Sequence, residues 1–471
     1  MKSSKSVDSV TALGAHPLGT LRVHSDNMEN ENNTPKCLLS GDVVIVTGMP
    51  SGSIFGIDNF AFGLGKDANF EGVRELPPGP HLIYDGSLEL STRNGFWIMS
   101  KQRATCERGE IFIKRWDSYN ETLEDEVSLA EIRIQKDNLP HMFERLIPYP
   151  AGSTIAGTSK QTTSSEIEHP PTKDAGIRNP KMWSRLTFAI KGAMLTRLTG
   201  CPWNKWWVSS THEGKVMEWK AADGQSSTVP SLIDHRAEQI IGKDLVLTFI
   251  FPCTGVVYSK GVVGRPRSEQ ALDSSEYIMA VINDRCTYQD PDDVIGELQF
   301  TYITGVLLGN IACQEQWAQI VKIIFKAFRL AINMPVFFRK LIETVHAQLI
   351  YDEEGIEGSI FDHDDYLQDE LKCLLTVFKS RLNEQLLERG ANLTTDQSSV
   401  GKAFEELESW LWRWDWDLRG NYLRAGKLQV EHGEIMDAEL EDFEAEDERG
   451  EYAPVVVDLE EDGREKGLIR W

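Results

Sequence analysis

The stretch that decides the fold class is DPDDVIGELQFTYITGVLLGNIACQEQWAQIVKII, residues 290–324. It contains a run without charges, Leu298–Gln314, which is shorter than the ~20 residues that a membrane-spanning helix needs. The run therefore predicts a buried helix within a folded domain rather than a membrane anchor.

Helical periodicity continues on both sides of this stretch. Trp317, Ile320, Ile324 and Phe328 fall on one face at helical spacing, as an amphipathic helix requires. Residues 202–240 lack such a period, and we interpret them as an inserted loop in a helical domain over 181–420. The predicted helices of this domain are Trp183–Leu198, which Gly200 ends, Ser274–Asn283, Asp292–Gly309, Gln314–Ile332, Val336–Ile350, Tyr366–Leu387 and Val400–Leu418.

The residues before this domain have a different pattern. Residues 1–40 have no burial period and are predicted to be disordered, and residues 151–180 are rich in Ser, Thr and Pro, as a linker is. Between them, 41–150 is predicted to be a β-rich domain with one helix, Val127–Leu146, interrupted at Pro140. Short β-prone runs divided by Gly, Pro and Asn predict its strands at Val43–Val46, His81–Tyr84, Phe96–Met99 and Ile111–Lys114.

Charge and cysteine content limit the possible partners and compartment. The chain carries 49 basic and 73 acidic side chains, a net charge of −24, which disfavours phosphate backbones and acidic membrane surfaces as main partners. Fifteen of the acids lie in residues 431–462, within a tail, 421–471, that we expect to be flexible. Seven scattered cysteines without a CxxC pair predict reduced thiols in cytosol or nucleus. Residues 1–40 contain no apolar core of a signal peptide, so we expect none.

The motifs that invite an enzymatic interpretation are incomplete. GMPSGSIFG, residues 48–56, lacks the Lys-Ser/Thr pair of a phosphate-binding loop, so its glycines are interpreted as turn residues of the β-domain. Asp362, Asp364 and Asp365 surround His363 in the densest metal-like cluster. Successive residues point in different directions, and a solvated loop or a helix start explains the cluster better than a metal site. A metal-dependent hydrolase that uses these three carboxylates is the alternative function. We predict no catalytic residue and no cofactor.

Two further patterns predict helix packing. Trp410, Trp412, Trp414 and Trp416 alternate as in a strand, but Phe404, Leu407, Leu411, Trp414 and Leu418 follow the spacing of a helical seam. We therefore predict a helix that packs on the core, since Asp415 and Asp417 oppose base stacking with RNA. Gly305 and Gly309 form a pair of small residues that predicts close approach of two helices.

The tail contains one segment that differs from its surroundings, EYAPVVVDLEE at residues 451–461. Ala453, Val455, Val457 and Leu459 share one face, and Tyr452, Pro454, Val456 and Asp458 share the other. Such a β-prone strip either folds back onto its own domain or pairs with the sheet edge of a partner.

Three separated stretches resemble the A1-cistron-splicing factor family. The first is VVIVTGMPSGSIFGID followed by FEGVRELPPGPHLIY, which is similar to the family's Pro-x-Gly-x-x-Phe-Gly-Ile-Asp and Pro-Pro-Gly-x-His motifs. The second is residues 290–324, with the family's Gly-Glu-Leu-Gln helix and Glu-x-Trp motif. The third is WDWDL together with APVVVDLEE. The leader 1–40, the loop 202–240 and the linker length depart from the family pattern.

The resemblance implies an α+β, multi-domain fold: a β-sandwich-like N-terminal domain, a VHS-like all-helical C-terminal domain and a flexible acidic tail. It implies a non-catalytic factor in mRNA splicing that binds the large scaffold protein of the U5 small nuclear ribonucleoprotein (snRNP). The contacts would be to the scaffold's RNase H-like and MPN-fold domains, in a precursor particle, and they would block early binding of the U5 helicase. It favours the tail strand 452–459 as the partner-binding segment, and it implies localisation to cytoplasm and nucleus. Exposed Ser/Thr residues at 157–165 and in Arg265–Ser268 lead us to expect release by phosphorylation.

Overall fold

The N-terminal part of the chain is a β-sandwich. The computed structural model describes residues 37–65, 70–87, 92–104, 107–149, 180–216, 246–251, 264, 272–353, 367–414 and 416–418, and the backbone of 426–429 and 435–438. Each sheet has five strands. In order across sheet 1 these are β8 (Thr122–Asp125), β7 (Ile111–Asp117), β1 (Asp42–Thr47), β4 (Gly72–Leu76) and β9 (Ile147–Pro148). Across sheet 2 they are β10 (Trp206–Ser209), β6 (Arg93–Ser100), β5 (Gly79–Ser87), β2 (Ser53–Ile57) and β3 (Phe60–Gly63).

Strand β1 shows why the run of Val and Ile folds here. Its residues are buried on both faces of sheet 1, as expected of a strand that is covered on each side. Val44 and Val46 pack into the core between the sheets. Val43 and Ile45 pack on the other face, beneath helix α1 (Leu129–Met142). The chain then turns through Gly48 and Gly52, whose φ angles are +75° and +86°, which confirms that these glycines serve tight turns.

The C-terminal part is helical, as predicted. Its longest buried element is α5 (Asp292–Leu308), in which every residue from Asp293 onward is buried. The other helices are α2 (Pro180–Thr187), α3 (Gly192–Thr199), α4 (Ser275–Arg285), α6 (Ile311–Ile324), α7 (Phe328–Asn333), α8 (Pro335–Glu353), α9 (Leu367–Arg389) and α10 (Thr395–Leu411).

The two parts share one apolar core. The outer face of sheet 2, through Leu82 and Trp97, belongs to the same buried cluster as the helices. The Trp97 ring stacks on Trp183 of α2 at a centroid distance of 6.2 Å and lies 5.8 Å from Phe300 of α5. Because this junction is fully buried, we expect the sandwich and the helical domain to move as one unit.

The structure differs from the predicted elements at several points. In the region assigned to a loop, 202–240, residues 206–209 form a strand of sheet 2, since Trp206 and Val208 are fully buried while they pair with β6. Residues 213–216 form β11 (Glu213–Val216), parallel to β12 (Val246–Phe249). Leu38, in the predicted disordered leader, is buried against the core beneath α1.

Helix boundaries differ as well. Residues 188–191 divide the helix predicted at Trp183–Leu198 into α2 and α3, and residues 325–327 divide Gln314–Ile332 into α6 and α7. Helix α1 runs through Pro140 without the predicted interruption. Within the tail, β13 (Gly426–Gln429) and β14 (Ile435–Ala438) form an antiparallel pair that the sequence did not predict.

Candidate functional site

The predicted partner-binding strand and the carboxylates of the alternative function fall on residues that the structure does not describe. The strand Tyr452–Leu459 lies outside the described residues, and so do Asp362, Asp364 and Asp365. The structure does describe the motifs of the N-terminal and helical domains that carry the family resemblance. Each of them lies at a junction between elements.

The two N-terminal motifs meet at a buried carboxylate. Asp58 ends the Phe-Gly-Ile-Asp motif in the turn between β2 and β3, and its Oδ2 is 2.7 Å from Nδ1 of His81, which ends the Pro-Pro-Gly-x-His motif. The Leu82 N–H donates to Asp58 Oδ1 at 2.9 Å, and the Tyr149 hydroxyl donates to Oδ2 at 2.5 Å. The β2–β3 turn, the start of β5 and the end of the sandwich are thus joined through Asp58.

Both ring nitrogens of His81 are engaged in this cluster. Nε2 is 2.8 Å from the carbonyl oxygen of Pro77, which can only accept a hydrogen bond, so Nε2 carries a proton. Burial lowers the pKa of His81, but the charge and hydrogen bond of Asp58 outweigh it, and the net pKa is raised. A fully buried imidazole whose two nitrogens are both engaged within the fold stabilises its neighbours and leaves no ring nitrogen open to a substrate. The resemblance of Asp58 and His81 to a catalytic pair is therefore superficial.

The second motif, Gly-Glu-Leu-Gln, crosslinks the helical domain. Glu297 of α5 is fully buried; Arg197 of α3 donates to its Oε2 at 2.9 Å, and the Ile250 N–H donates to its Oε1 at 2.9 Å. Gln316 of α6 donates to the same Oε1 at 3.2 Å, and Arg197 also donates to the Thr248 carbonyl oxygen at 3.0 Å. Burial raises the pKa of Glu297, with Arg197 acting in the opposite direction.

The residues around Glu297 in this motif hold the link between α2 and α3. Gln299 accepts from the Ala189 N–H at 2.9 Å and donates to the Arg185 carbonyl oxygen at 3.1 Å. At Gly296, a β-carbon would lie 2.5 Å from the Ala189 carbonyl oxygen, so a side chain does not fit without displacement of the backbone. The motif therefore fixes how α5 packs on this link.

The following Glu-x-Trp motif and the glycine pair serve helix packing. Trp317 donates from Nε1 to Gln348 Oε1 at 2.8 Å, inside the core between α6 and α8. Gln314 donates to the Gly305 carbonyl oxygen at 2.9 Å, which confirms close approach of α5 and α6 at Gly305. Gly309 has a different role from the one predicted: with φ at +69° it ends α5 in the left-handed conformation.

The tryptophan-rich segment is helical, as predicted, only to Leu411. The chain then tightens into a 3₁₀ turn, Trp412–Trp414, and this change of period places Trp416 in the core in place of Trp414. Trp412 and Trp414 are each 50% exposed. The predicted seam is therefore wrong at Trp414. The half-exposed pair forms an aromatic surface close to the end of the described helical domain.

One signal in the sequence could have identified the buried ion pair. The α3 sequence GAMLTRLT contains a single charge, Arg197, and the run from Val294 to Leu308 contains a single charge, Glu297. Lone opposite charges in two apolar helices are expected to pair, because an unpaired charge in a core is costly.

The described residues contain neither a metal cluster nor a membrane-spanning helix. In the described residues, no group of three or more His, Cys, Asp or Glu side chains has the geometry of a metal site. Among the helices of the same residues, none is long and apolar enough to cross a membrane.

Comparison with known proteins gives matches over both parts of the chain. The family model of the AAR2 N-terminal domain matches residues 40–200, and that of the AAR2 C-terminal repeat region matches residues 253–419. The Protein AAR2 homolog of Macaca fascicularis is 24% identical over 353 residues, which are 72% of this chain and 84% of the relative. The Homo sapiens protein of the same name is 23% identical over the same shares. That of Caenorhabditis elegans is 36% identical over 112 residues, 24% of this chain and 29% of the relative.

Proposed function

The chain belongs to the AAR2 family, and from this premise we propose that it is a non-catalytic splicing factor that assists assembly of the U5 snRNP and the tri-snRNP. The observation that carries the proposal is the family match to both the sandwich and the helical domain. The buried Asp58–His81 and Arg197–Glu297 pairs support it, because each joins elements of the fold and neither has an open position for a substrate.

The proposed partner is the large scaffold protein at the centre of the U5 snRNP, bound at its RNase H-like and MPN-fold domains. In this role the chain occupies the scaffold in a precursor particle and keeps the U5 helicase off it until the particle matures. The net charge of −24 supports a protein rather than an RNA as the main contact, since acidic chains repel phosphate backbones.

We propose that the contact uses the tail strand Tyr452–Leu459, which adds to a sheet of the scaffold. In an extended strand, successive residues present their N–H and C=O groups to opposite edges. Ala453, Val455 and Val457 offer one uninterrupted edge, whereas Pro454 on the other edge has no N–H. Addition of a strand to a partner's sheet through the unbroken edge is a common mode of peptide recognition.

A pair of proline variants tests this contact. Val455→Pro removes an amide on the proposed pairing edge, and Val456→Pro removes one on the opposite edge, beside Pro454. Both prolines restrict φ in the same way, so the difference between them isolates the lost hydrogen bond. In calorimetry against the scaffold's C-terminal domains, we expect Val455→Pro to weaken binding clearly more than Val456→Pro. Equal losses would show that the tail does not pair by this edge, and unchanged affinity in both variants would show that it is not a binding strand.

Localisation and release complete the proposal. An assembly factor of this kind works on precursor particles in cytoplasm and nucleus. Residues 157–165 and 265–268 lie outside the described residues. Their sequences supply Ser and Thr for phosphorylation. Added phosphates weaken a contact with an acidic partner surface by repulsion. Glu substitutions across both segments should therefore lower scaffold affinity, and a change of less than about twofold, within ordinary scatter of surface substitutions, would exclude them as the switch.

A further inference from the structure

The four outer edges of the two sheets differ in how they are protected from pairing. An exposed edge strand offers unpaired backbone groups to any extended chain, and proteins usually block it with charge, proline or a covering segment. Strand β8 carries Glu124 and Asp125, and β9 is two residues long with Pro148. At the β10 edge, Asn310 donates to the carbonyl oxygen of Ser209 at 2.8 Å.

Strand β3 has none of these features among the described residues. Its sequence, Phe-Ala-Phe-Gly at 60–63, contains no charge and no proline, and its register with β2 is continuous from Phe60 to Gly63. Of the described strand edges in the sandwich, that of β3 is thus the one best suited to accept another strand.

The register of the β2–β3 hairpin fixes which groups face outward. Ile57 pairs with Phe60 across the two-residue turn, and Leu64 donates to the Ser53 carbonyl oxygen at 2.8 Å. Phe60, Phe62 and Leu64 therefore direct their N–H and C=O groups toward β2. The intervening residues, Ala61 and Gly63, direct theirs to the open edge. Both are exposed, and their side chains are too small to obstruct an incoming strand.

The aromatic side chains of β3 hold this edge in position. The Phe62 ring lies 5.7 Å from that of Phe55 and 5.6 Å from that of Phe70. The Phe60 ring meets Tyr149 edge-on at 6.5 Å. An edge that is anchored to the core in this way is a preformed template, so little ordering of β3 is needed when a strand binds.

We propose that in the free protein the β3 edge binds the tail strand 453–457 of the same chain. As an extended strand, this segment would offer Ala453, Val455 and Val457 along one edge. They can pair with the two outward residues of β3, since neither segment carries a charge. A contact with only Ala61 and Gly63 is far too small to hold a second copy, because stable interfaces bury roughly 1,200 Å² or more. A tethered strand meets no such requirement, since the tether raises its effective concentration at the edge.

The chain that connects the helical domain to the tail strand is long. Outside the β13–β14 hairpin, residues 419–425 and 439–452 separate the helical domain from Ala453. Fully extended, these residues span about 70 Å, so the strand is not confined to the neighbourhood of α10.

Docking of the tail strand on β3 has a regulatory consequence, which rests on the proposed function. If the scaffold binds the same tail strand, the β3 edge and the scaffold's sheet compete for it, and the partner must displace the docked strand. Docking itself requires no partner, so it can be tested in the free protein. A failure there would leave the scaffold contact untouched, and a failure of scaffold binding in calorimetry would leave the docking untouched.

Amide hydrogen exchange of the full-length chain, followed by NMR, tests the docking. We expect the Ala61 and Gly63 amides to exchange at least about tenfold more slowly than unbonded amides. Val455→Pro should abolish that protection, and Val456→Pro should preserve most of it. The Phe60 and Phe62 amides, which bond to β2, serve as the internal control and should not change in either variant.

Two results would overturn the proposal. Exchange of Ala61 and Gly63 at unbonded rates in the native chain would show that nothing occupies the edge. Protection that survives Val455→Pro would show a different occupant, and protection that rises with protein concentration would identify it as a second copy.

Discussion

Asp85 lies inside the sandwich without a full set of partners, and replacing it with Asn should stabilise the protein. The residue is on β5 and is 1% exposed. Its Oδ1 accepts a long hydrogen bond of 3.4 Å from the Leu123 N–H, and its Oδ2 has no hydrogen-bond partner among the described residues. Burial, only partly opposed by the hydrogen bond from Leu123, raises the pKa of Asp85 from 3.8 to about 7.

The sign and size of the effect follow from this pKa. An acid whose pKa is raised by folding resists ionisation in the folded state, so its contribution to stability falls between pH 4 and pH 7 and stays low above pH 7. Each tenfold change in an ionisation constant corresponds to about 1.4 kcal/mol. The raised pKa of Asp85 therefore lowers the free energy of unfolding by about 4 kcal/mol at pH 8 and by about 1.7 kcal/mol at pH 5. Asn keeps the acceptor for Leu123 and carries no charge.

Urea unfolding followed by tryptophan fluorescence measures this difference. Asp85→Asn should raise the free energy of unfolding by up to about 4 kcal/mol at pH 8, and by clearly less at pH 5. Asp117→Asn, at the end of neighbouring β7, is the matched control. Hydrogen bonds from the Tyr119 N–H and Asn120 outweigh the slight desolvation of the Asp117 carboxylate and lower its pKa, so this variant should gain no stability at pH 8. Destabilisation by Asp85→Asn at pH 8, or a gain that is equal at both pH values, would refute the burial argument.

Three further substitutions test the buried junctions. Arg197→Met leaves Glu297 buried without its ion-pair partner and should lower the free energy of unfolding in denaturant by about 3–5 kcal/mol. The double variant Arg197→Met, Glu297→Gln should recover much of that loss. Equal stability of the single and double variants would show that no ion pair is formed. Gly296→Ala forces a methyl group toward the Ala189 carbonyl oxygen and should cost about 1–3 kcal/mol; a thermal midpoint within a degree of the native one would contradict the close approach. His81→Gln should lower stability more at pH 6 than at pH 9. A histidine whose pKa is raised by folding stabilises the protein below the ordinary pKa of 6.5, and this contribution is lost as pH rises through the raised pKa. A loss of stability that is independent of pH would mean that His81 is neutral.

The fold could be predicted from sequence where burial is periodic. The Val and Ile run of β1 and the apolar run of α5 dictate a strand and a helix, because few other structures bury such segments. The strand at 206–209 escaped prediction because it is short, is flanked by irregular chain and pairs with β6, more than a hundred residues earlier. Trp206 and Val208 lie two residues apart and are both buried, but this spacing indicates a strand only when the partner strand is known.

The polar interior could be predicted less well. Asp58 and His81 end two motifs of the sequence, but their pairing depends on the long-range register between β2 and β5, which no local pattern specifies. The break between α2 and α3 has a similar cause, since the Ala189 N–H is taken by Gln299 from a distant helix. In both cases tertiary hydrogen bonds override what local spacing favours.

The most direct test of the proposed function is affinity purification of the endogenous, tagged protein, with identification of what is bound. An assembly factor that holds the U5 scaffold in a precursor particle should recover the scaffold in near-stoichiometric amount and should leave the U5 helicase behind. The same purification with Val455→Pro should recover clearly less scaffold. Recovery of mature particles that contain the helicase, or absence of the scaffold altogether, would contradict the proposed function.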